Sequence, residues 1–386
     1  MRIGRIREIG IGGLLLILLL PQVKCLYFNA GLRWLYILVF SFIASYFLTP
    51  FCGSIAIKLN ILDLPDRRKI HDISTPLLGG LAVFLAFGFS LAVNRIFLPG
   101  MKSLLAGASM IFVLGLFDDI RPIPALLRFI LQILISMVVI VGGDIYLTLF
   151  RNFPWAYALN FLLTILWIVG ITNAMNFFDG IDGLAAGLSI ISATFLGFIA
   201  FKTNQPAIGW LAVAIVGSCA GFMPHNFKFG KSAVIFLGDA GSTFLGFTLA
   251  GVAVLGEWSR TSDFVSLTAP VLIFGVLIFD MLYLTGSRIK NNRSKRDIFS
   301  ILAMANTDHL HHRLLYMGFK RKESAFTIFT ISTCLSVSAL IIMDQEFIDA
   351  LLGLFQAILV LGIVAVLMFK GRMVSSCEIN GIKRND

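Results

Sequence analysis

Acidic and amide residues interrupt an otherwise apolar sequence in NAMNFFDGIDGLAAG, residues 173–187. Asn176, Asp179 and Asp182 stand between two long hydrophobic runs of a chain that is 58% hydrophobic and 13% charged. Ionisable groups at the edge of a hydrocarbon layer cost free energy, so their presence there indicates a functional site. Carboxylate and amide oxygens are suited to binding a hard cation or a polar ligand.

Three more aspartates lie in comparable places. Asp118 and Asp119 occur in GLFDDIRPIP, and Asp239 occurs in FLGDAGSTFLG. If these three converge with Asp179 and Asp182, the carboxylates repel one another in a poorly hydrated site, and a cation must join them. The donors are hard oxygens without thiolate partners, which favours Mg²⁺ or Mn²⁺ over zinc.

Basic residues and histidines accompany the aspartates. They are Arg68, Lys69 and His71 in DLPDRRKIHDISTPLLGG, and His309, His311 and His312 in DHLHHRL. The hydrophobic runs that follow the two glycine–aspartate stretches add helix N-termini, whose free N–H groups attract anions. Carboxylates, a divalent cation, helix N-termini and basic residues together describe a site for a metal-bridged phosphate or diphosphate.

Some of these residues also have purely local interpretations. Asp182 is placed to cap the hydrophobic helix that follows it, as Asp239 or Ser242 is for a later one. Asp118 and Asp119 are compatible with a solvated helix end. The three histidines within four residues are harder to explain in this way.

The hydropathy pattern predicts an all-α, polytopic integral membrane bundle of about eleven transmembrane helices. Mean hydropathy is +0.90. The predicted spans are 35–57, 78–98, 103–117, 125–143, 158–174, 184–201, 207–223, 241–256, 266–285, 324–343 and 347–369. Residues 1–34 resemble a targeting signal but lack an A-x-A-like cleavage site, so we expect them to remain as a possible extra N-terminal helix. Residues 35–369 then form the multi-span domain and 370–386 a cytoplasmic tail.

The placement of positive charge predicts which loops face the cytoplasm. About two-thirds of the 31 lysines and arginines fall in alternate loops, which the positive-inside rule assigns to the inner side. Because basic loops are retained on the cytoplasmic side of a membrane, the net charge of +10 does not require a nucleic-acid partner. All the polar motifs above map to the same inner side, as an enzyme site would, whereas a transporter should place polar groups along a path to both faces.

With these motifs in place, the chain resembles the polyprenyl-phosphate N-acetylhexosamine-1-phosphate transferases. These membrane enzymes begin lipid-linked sugar assembly for O-antigens, enterobacterial common antigen and teichoic-acid linkage units. The resemblance runs from about Lys58 to Phe319 and rests on DLPDRRKIH, FDDI, NAMNFFDGIDGLAAG, FLGDAGSTFLG and HLHH in the family's order. It implies Mg²⁺-dependent transfer of an N-acetylhexosamine 1-phosphate from a UDP-sugar to undecaprenyl phosphate, with release of UMP. The implied location is the cytoplasmic face of a bacterial inner membrane, and a homodimer is compatible with it.

The resemblance also implies a role for each motif. Asp239 is the candidate for direct Mg²⁺ coordination, and Asp118 and Asp119 match paired aspartates near the metal and the acceptor phosphate. The remaining matches are Asn176, Asp179 and Asp182 in the nucleotide pocket, Phe236 stacked on uracil, and Lys69 with the HLHH histidines on phosphates. Arg68 and His71 are taken as substrate-binding with Lys69.

Several alternatives stay open at this point. A peptidoglycan-type transferase acting on UDP-MurNAc-pentapeptide ranks second, because its signature survives here only as STPLLGG, residues 74–80. A transporter of nucleotide-sugars or lipid-linked phosphates belongs to another class. Within the transferase interpretation, direct attack by the lipid phosphate is favoured over double displacement through Asp118 or Asp119.

Overall fold

A computed structural model describes residues 2–64, 74–97, 100–151, 154–228, 231–259, 263–291 and 309–382. The described chain is almost entirely helical, and the all-α prediction is confirmed. Its helices are α1 (Arg2–Leu19), α2 (Pro21–Asn29), α3 (Arg33–Lys58), α4 (Gly79–Asn94), α5 (Met101–Ile120), α6 (Ala125–Gly143), α7 (Ala156–Phe177), α8 (Leu184–Lys202), α9 (Pro206–Asn226), α10 (Gly238–Leu255), α11 (Asp263–Ile273), α12 (Gly275–Asn291), α13 (Leu310–Tyr316), α14 (Arg321–Ile342) and α15 (Phe347–Ile382). A 3₁₀ turn, Phe178–Gly180, follows α7, and strands β1 (Leu62–Asp63) and β2 (Thr75–Pro76) form a short antiparallel pair.

Nine helices of the described chain are long and apolar enough to cross a membrane, so this is a multi-pass membrane protein. They are α3, α5 to α10, α14 and α15. The predicted span 78–98 is the shorter α4, and the predicted span 266–285 is the pair α11 and α12, bent by 78°. The N-terminal segment is also a bent pair, α1 and α2, at 66°.

The break between α11 and α12 has a local cause that hydropathy does not report. Pro270 lies inside α11 and removes one backbone donor, and Gly275 begins α12. A Cβ added at Gly275 would lie 2.9 Å from Leu335 Cδ1 of α14, so the glycine lets the corner pack closely. The predicted span is thus present as a bent pair of helices, because an apolar run does not specify a direction.

Helix α10 lies at the centre of the bundle, and 83% of its residues are buried. It packs against α4, α5, α7 and α8. Two glycine contacts bring its first turn close to neighbouring backbones. A Cβ on Gly80 would lie 2.5 Å from Gly241 Cα, and one on Gly115 would lie 2.6 Å from Ala240 Cα. The start of α10 is thereby held against the start of α4 and the end of α5.

We expect Gly80→Ala to destabilise the protein by about 1–3 kcal/mol, because the added methyl group meets backbone atoms that cannot rotate away. Gly88→Ala in the same helix is the matched control, since a Cβ there has no atom within 4 Å. Thermal unfolding of the purified variants in detergent measures both changes. Equal melting temperatures for the two variants would contradict the close contact between α4 and α10.

Candidate functional site

The carboxylate of Asp119 caps the N-terminus of α10 from another helix. Its Oδ1 accepts the amide hydrogen of Asp239 at 2.8 Å, and its Oδ2 accepts that of Ala240 at 3.0 Å. The cap residue of α10 itself is Leu237, whose side chain makes no capping hydrogen bond. The alternative local interpretation, in which Asp239 or Ser242 caps this helix with its own side chain, is therefore not what the structure shows. Asp119 fills that role from the last turn of α5 and fixes where Asp239 points.

Arg128 joins Asp118 to Asp239. The single atom Nη1 contacts Asp118 Oδ2 and lies 3.0 Å from Asp239 Oδ2. Asp118 Oδ1 accepts the Ile123 amide hydrogen at 2.7 Å, and the Asp118 side chain is only 6% exposed. Repulsion between the aspartates predicted a positive group among them. The arginine that lies there was not among the predicted site residues. Its only local signal was a basic residue in the first turn of the apolar helix α6, eight residues after FDDI.

Asn176, in the last turn of α7, also contacts the Asp239 carboxylate. Its Nδ2 donates to Asp239 Oδ1 at 2.7 Å and to Ser242 Oγ at 3.0 Å. Asp179, one turn later, lies within electrostatic range of Asp239, Asp119 and Asp182. Asp118, Asp119, Asp179 and Asp239 thus lie within hydrogen-bond or electrostatic reach of one another, and Asp179 is also within electrostatic range of Asp182, the fifth aspartate expected to converge. The last turn of α5, the first turn of α10 and the 3₁₀ turn after α7 supply the first four.

Asp182 lies between the 3₁₀ turn and α8, and its side chain does not cap α8. The cap residue of α8 is Gly183, in the left-handed region at φ +75°. Asp182 Oδ2 accepts the Ala233 amide hydrogen at 3.3 Å, which ties the loop before α8 to the loop before α10. Asn226 strengthens this tie because its Oδ1 accepts from Gly183 N at 2.5 Å and its Nδ2 donates to Ile235 O at 2.9 Å. Sequence reasoning had not assigned Asn226.

Phe236 is half-buried three residues before Asp239, on a backbone fixed to the turn that begins α4. Its N–H donates to Pro76 O at 2.8 Å, and its carbonyl accepts from Gly79 N at 2.9 Å. Leu237 O accepts from Gly80 N at 2.8 Å. These backbone hydrogen bonds hold the segment that carries Phe236 and leads to Asp239 against the start of α4. Arg68, Lys69 and His71 lie outside the described residues.

The histidines of HLHH pack on the 3₁₀ turn that carries Asp179. The His309 ring lies 4.7 Å from the Phe177 ring and the His311 ring 5.9 Å from the Phe178 ring, measured between centroids. The His312 ring lies 4.2 Å from that of His311. A Cβ on Gly180 would lie 2.5 Å from His311 Nε2, so the glycine makes room for the ring. His309 and His311 therefore lie next to the turn that carries Asp179, and His312 lies next to His311.

Burial, followed by the neighbouring His312 and His309, holds the pKa of His311 well below its usual value. His311 is therefore neutral when folded and takes up a proton on unfolding below about pH 6.5. We expect stability to fall as the pH drops through that region, by at most about 1.4 kcal/mol per pH unit from this residue. Melting temperatures of wild type and His311→Gln between pH 5 and 8 measure the effect. A pH slope that is unchanged in the variant would contradict it.

The carboxylates fit a hard cation, although no group of three or more histidine, cysteine, aspartate or glutamate side chains within the described ranges has metal-binding geometry. Asp118 Oδ2 and Asp239 Oδ2 both contact one cationic atom. Mg²⁺ commonly uses one or two carboxylates and completes its coordination with water and substrate phosphates. The donor set therefore suits such an ion once a phosphorylated substrate contributes the remaining ligands.

A cavity of about 500 Å³ lies at the opposite end of α7 and α10. Tyr146, Arg151, Trp167, Glu257 and Trp258 are among its lining residues. None of the predicted site residues borders it. The cluster of aspartates and histidines, with its converging charges, is the better candidate for chemistry.

The fold and this cluster define a multi-pass membrane enzyme whose charged groups meet at one end of a helix bundle. A family model for glycosyl transferase family 4 matches residues 101–257, which include Asp118, Arg128, Asn176 and Asp239. The chain belongs to this family of transferases, as the motifs had predicted.

Curated relatives extend the similarity beyond that region. The chain is 32% identical over 333 residues to a "Probable undecaprenyl-phosphate N-acetylglucosaminyl 1-phosphate transferase" of Bacillus subtilis (strain 168), covering 85% of this chain and 90% of the relative. It is 32% identical over 321 residues to a "Decaprenyl-phosphate N-acetylglucosaminephosphotransferase" of Mycobacterium tuberculosis, covering 74% and 77%. An Escherichia coli K12 "Undecaprenyl-phosphate alpha-N-acetylglucosaminyl 1-phosphate transferase" is 28% identical over 294 residues, covering 75% and 78%.

Proposed function

We propose that this protein transfers N-acetylglucosamine 1-phosphate from UDP-N-acetylglucosamine to undecaprenyl phosphate and releases UMP. The observation that carries the proposal is the meeting of Asp118, Asp239, Arg128 and Asn176 at the N-terminus of α10. Such a site would bind a diphosphate when a divalent cation joins its carboxylates, with Arg128 adding positive charge. The names of the Bacillus subtilis and Escherichia coli relatives contain both N-acetylglucosaminyl 1-phosphate and undecaprenyl phosphate, which supports this sugar and this acceptor. The Mycobacterium tuberculosis relative is named for the same sugar with decaprenyl phosphate, which supports the polyprenyl class of acceptor.

The reaction needs positioning more than a general base. The acceptor phosphate has a second pKa near 6 and is largely a dianion at neutral pH, so one of its oxygens is already nucleophilic. That oxygen forms a bond to the sugar-bearing phosphorus while the bond from this phosphorus to the bridging oxygen breaks. UMP leaves with the electron pair. Direct attack is preferred because Asp119 already uses both carboxylate oxygens on α10 and Asp118 is paired with Arg128.

Each site residue has a proposed role that follows from its position. Asp118 and Asp239 would hold Mg²⁺, which when bound neutralises the diphosphate charge and polarises its phosphoryl oxygens. Arg128 would turn toward a phosphate, and the histidines would donate to phosphate oxygens from the other side of the 3₁₀ turn. Asn176, Asp179, Asp182 and Phe236 would hold the nucleotide. Lys69, Arg68 and His71 keep their predicted substrate contacts as part of the proposal.

We propose that the site lies at the cytoplasmic face of a bacterial inner membrane, because its motifs fall in the loops that the positive-inside rule assigns to the cytoplasm. The nucleotide-sugar then arrives from water, and the lipid acceptor arrives from the bilayer. Whether two chains associate is a separate question that crosslinking in native membranes answers.

One assay tests the reaction. The purified protein is incubated with undecaprenyl phosphate, Mg²⁺ and, in turn, UDP-N-acetylglucosamine, UDP-N-acetylgalactosamine and UDP-MurNAc-pentapeptide. We expect UMP and a lipid-linked diphosphate sugar with the first donor, in detergent and without a second compartment. Lack of UMP with all three, or movement of substrate across proteoliposomes without UMP release, would refute the proposal.

The same assay separates the two mechanisms. Labelled UMP is added to the enzyme and UDP-N-acetylglucosamine with the acceptor lipid rigorously removed. Direct attack predicts that no label enters the UDP-sugar. Incorporation of label would show a covalent intermediate and favour Asp118 or Asp119 as the nucleophile.

A further inference from the structure

Asp280 of α12 is a completely buried acid that none of the sequence motifs includes. Its Oδ2 lies 2.7 Å from His309 Nδ1, and its Oδ1 accepts the Leu310 amide hydrogen at 2.9 Å. One carboxylate thus holds both the ring of the first HLHH histidine and the first turn of α13. The two sides of this contact are 29 residues apart in the chain.

This pairing determines which nitrogen of His309 is available. The Asp280 carboxylate accepts the Leu310 amide hydrogen through one oxygen, and we assign its other oxygen as the acceptor of a hydrogen bond from His309 Nδ1, which places the ring proton on Nδ1. Nε2 is then the free position of the ring. It is buried and has no hydrogen-bond partner in the part of the chain that the structure describes.

The ring also lies beside the end of α7, next to the turn that carries Asp179. Its face packs on Phe177, one residue before the 3₁₀ turn that carries Asp179. The His311 ring stacks beside it at a centroid distance of 6.0 Å. His309 is therefore fixed between a buried acid on one side and the border of the aspartate cluster on the other.

We propose that Asp280 is a positioning residue: it holds His309 in the orientation and protonation that present Nε2 to a phosphate group of the substrate. The inference rests on the proposed transfer of a sugar phosphate and adds a residue to it. A carboxylate that orients a histidine in this way affects activity through the histidine, without touching the substrate. The competing interpretation is that Asp280 only anchors the start of α13.

A double-variant experiment separates the two interpretations. Asp280→Asn, His309→Ala and the combined variant are compared with wild type for UMP release. We expect Asp280→Asn to lower kcat about 10- to 100-fold with KM for the donor changed less than about threefold. We also expect the combined variant to be no slower than His309→Ala, because Asp280 has no effect once the ring is gone.

The matched control is Glu323→Gln. Glu323 likewise accepts a backbone amide hydrogen at a helix start, from Lys320 N at 2.8 Å in front of α14, and it has no hydrogen bond to a histidine among the described residues. Its kcat should stay at the wild-type value. The proposal is overturned if Asp280→Asn has wild-type kcat, or if its effect multiplies with that of His309→Ala in the combined variant.

A spectroscopic measurement on the wild-type protein covers the case in which Asp280→Asn fails to fold. Nitrogen-15 NMR of histidine-labelled enzyme, with His309 assigned by its loss in His309→Ala, should show a protonated Nδ1 at pH 7.5. An unprotonated Nδ1 overturns the proposal. This result does not depend on turnover, so a protein without transferase activity would refute the proposed function while the NMR signal still decides the contact between Asp280 and His309.

Discussion

Asp239→Asn is expected to lower turnover by a factor on the order of 10³ while leaving the folded protein about as stable as wild type. Asp239 Oδ1 accepts from Asn176, and its Oδ2 accepts from Arg128. An amide in its place keeps one acceptor and loses the charge that the proposed metal and the arginine require. The residual activity should no longer depend on Mg²⁺.

Stability should change little because two effects oppose each other. The variant loses an ion pair whose Asp239 side chain is 37% exposed, which limits its contribution. It also removes one charge from a group of neighbouring carboxylates that includes Asp118, Asp119 and Asp179, and so relieves repulsion. Functional sites commonly carry such unfavourable charge arrangements.

UMP release and melting temperature are measured on the same purified samples. Asp344→Asn, at an exposed turn between α14 and α15, controls for the loss of one negative charge. Wild-type activity in Asp239→Asn would refute its role in the site. A large drop in melting temperature together with activity would show that Asp239 acts chiefly in folding.

Arg128→Met is expected to lower turnover about 100-fold or more and to destabilise the protein by about 2 kcal/mol. The change leaves Asp118 nearly buried without its cation, and it removes the positive charge next to the proposed diphosphate. Arg128→Lys should retain activity within about tenfold of wild type, because one donor atom contacts both carboxylates and an ammonium group can do the same.

The control for this pair is Arg121→Met, which removes an exposed arginine from the connection between α5 and α6, seven residues before Arg128. Kinetics with varied donor, together with thermal unfolding, distinguish the outcomes. Wild-type kinetics in Arg128→Met would show that the bridge is dispensable. Equal losses in the lysine and methionine variants would show that the planar guanidinium is required and that charge alone is insufficient.

The membrane spans were predicted well because their signal is local. Any helix that crosses a bilayer needs about 20 apolar residues, and nearly every predicted run became one straight helix. The bend between α11 and α12 was missed because hydropathy averages over Pro270 and Gly275. The ends of α5 and α10 were also set too short, so aspartates expected in loops belong to the last turn of one helix and the first turn of the other.

The predicted site residues that the structure describes gather as expected, but the partners of each were beyond sequence reasoning. Asp119 meets the Asp239 amide across 120 residues, and Arg128 meets Asp239 across 111. Asp280, Asn226 and Arg128 went unassigned because a lone acid, amide or base within or beside an apolar helix gives no hint of what faces it.

The sequence alone determined that this chain is a membrane bundle with its charged motifs at one end, since each apolar run must cross and the polar residues must stay at its ends. Only the tertiary structure decided which acid caps α10, which acid pairs with an arginine and which acid orients a histidine. The reason is physical: these contacts form when glycines let helices distant in sequence approach to backbone contact, and their side chains then meet from separate helices.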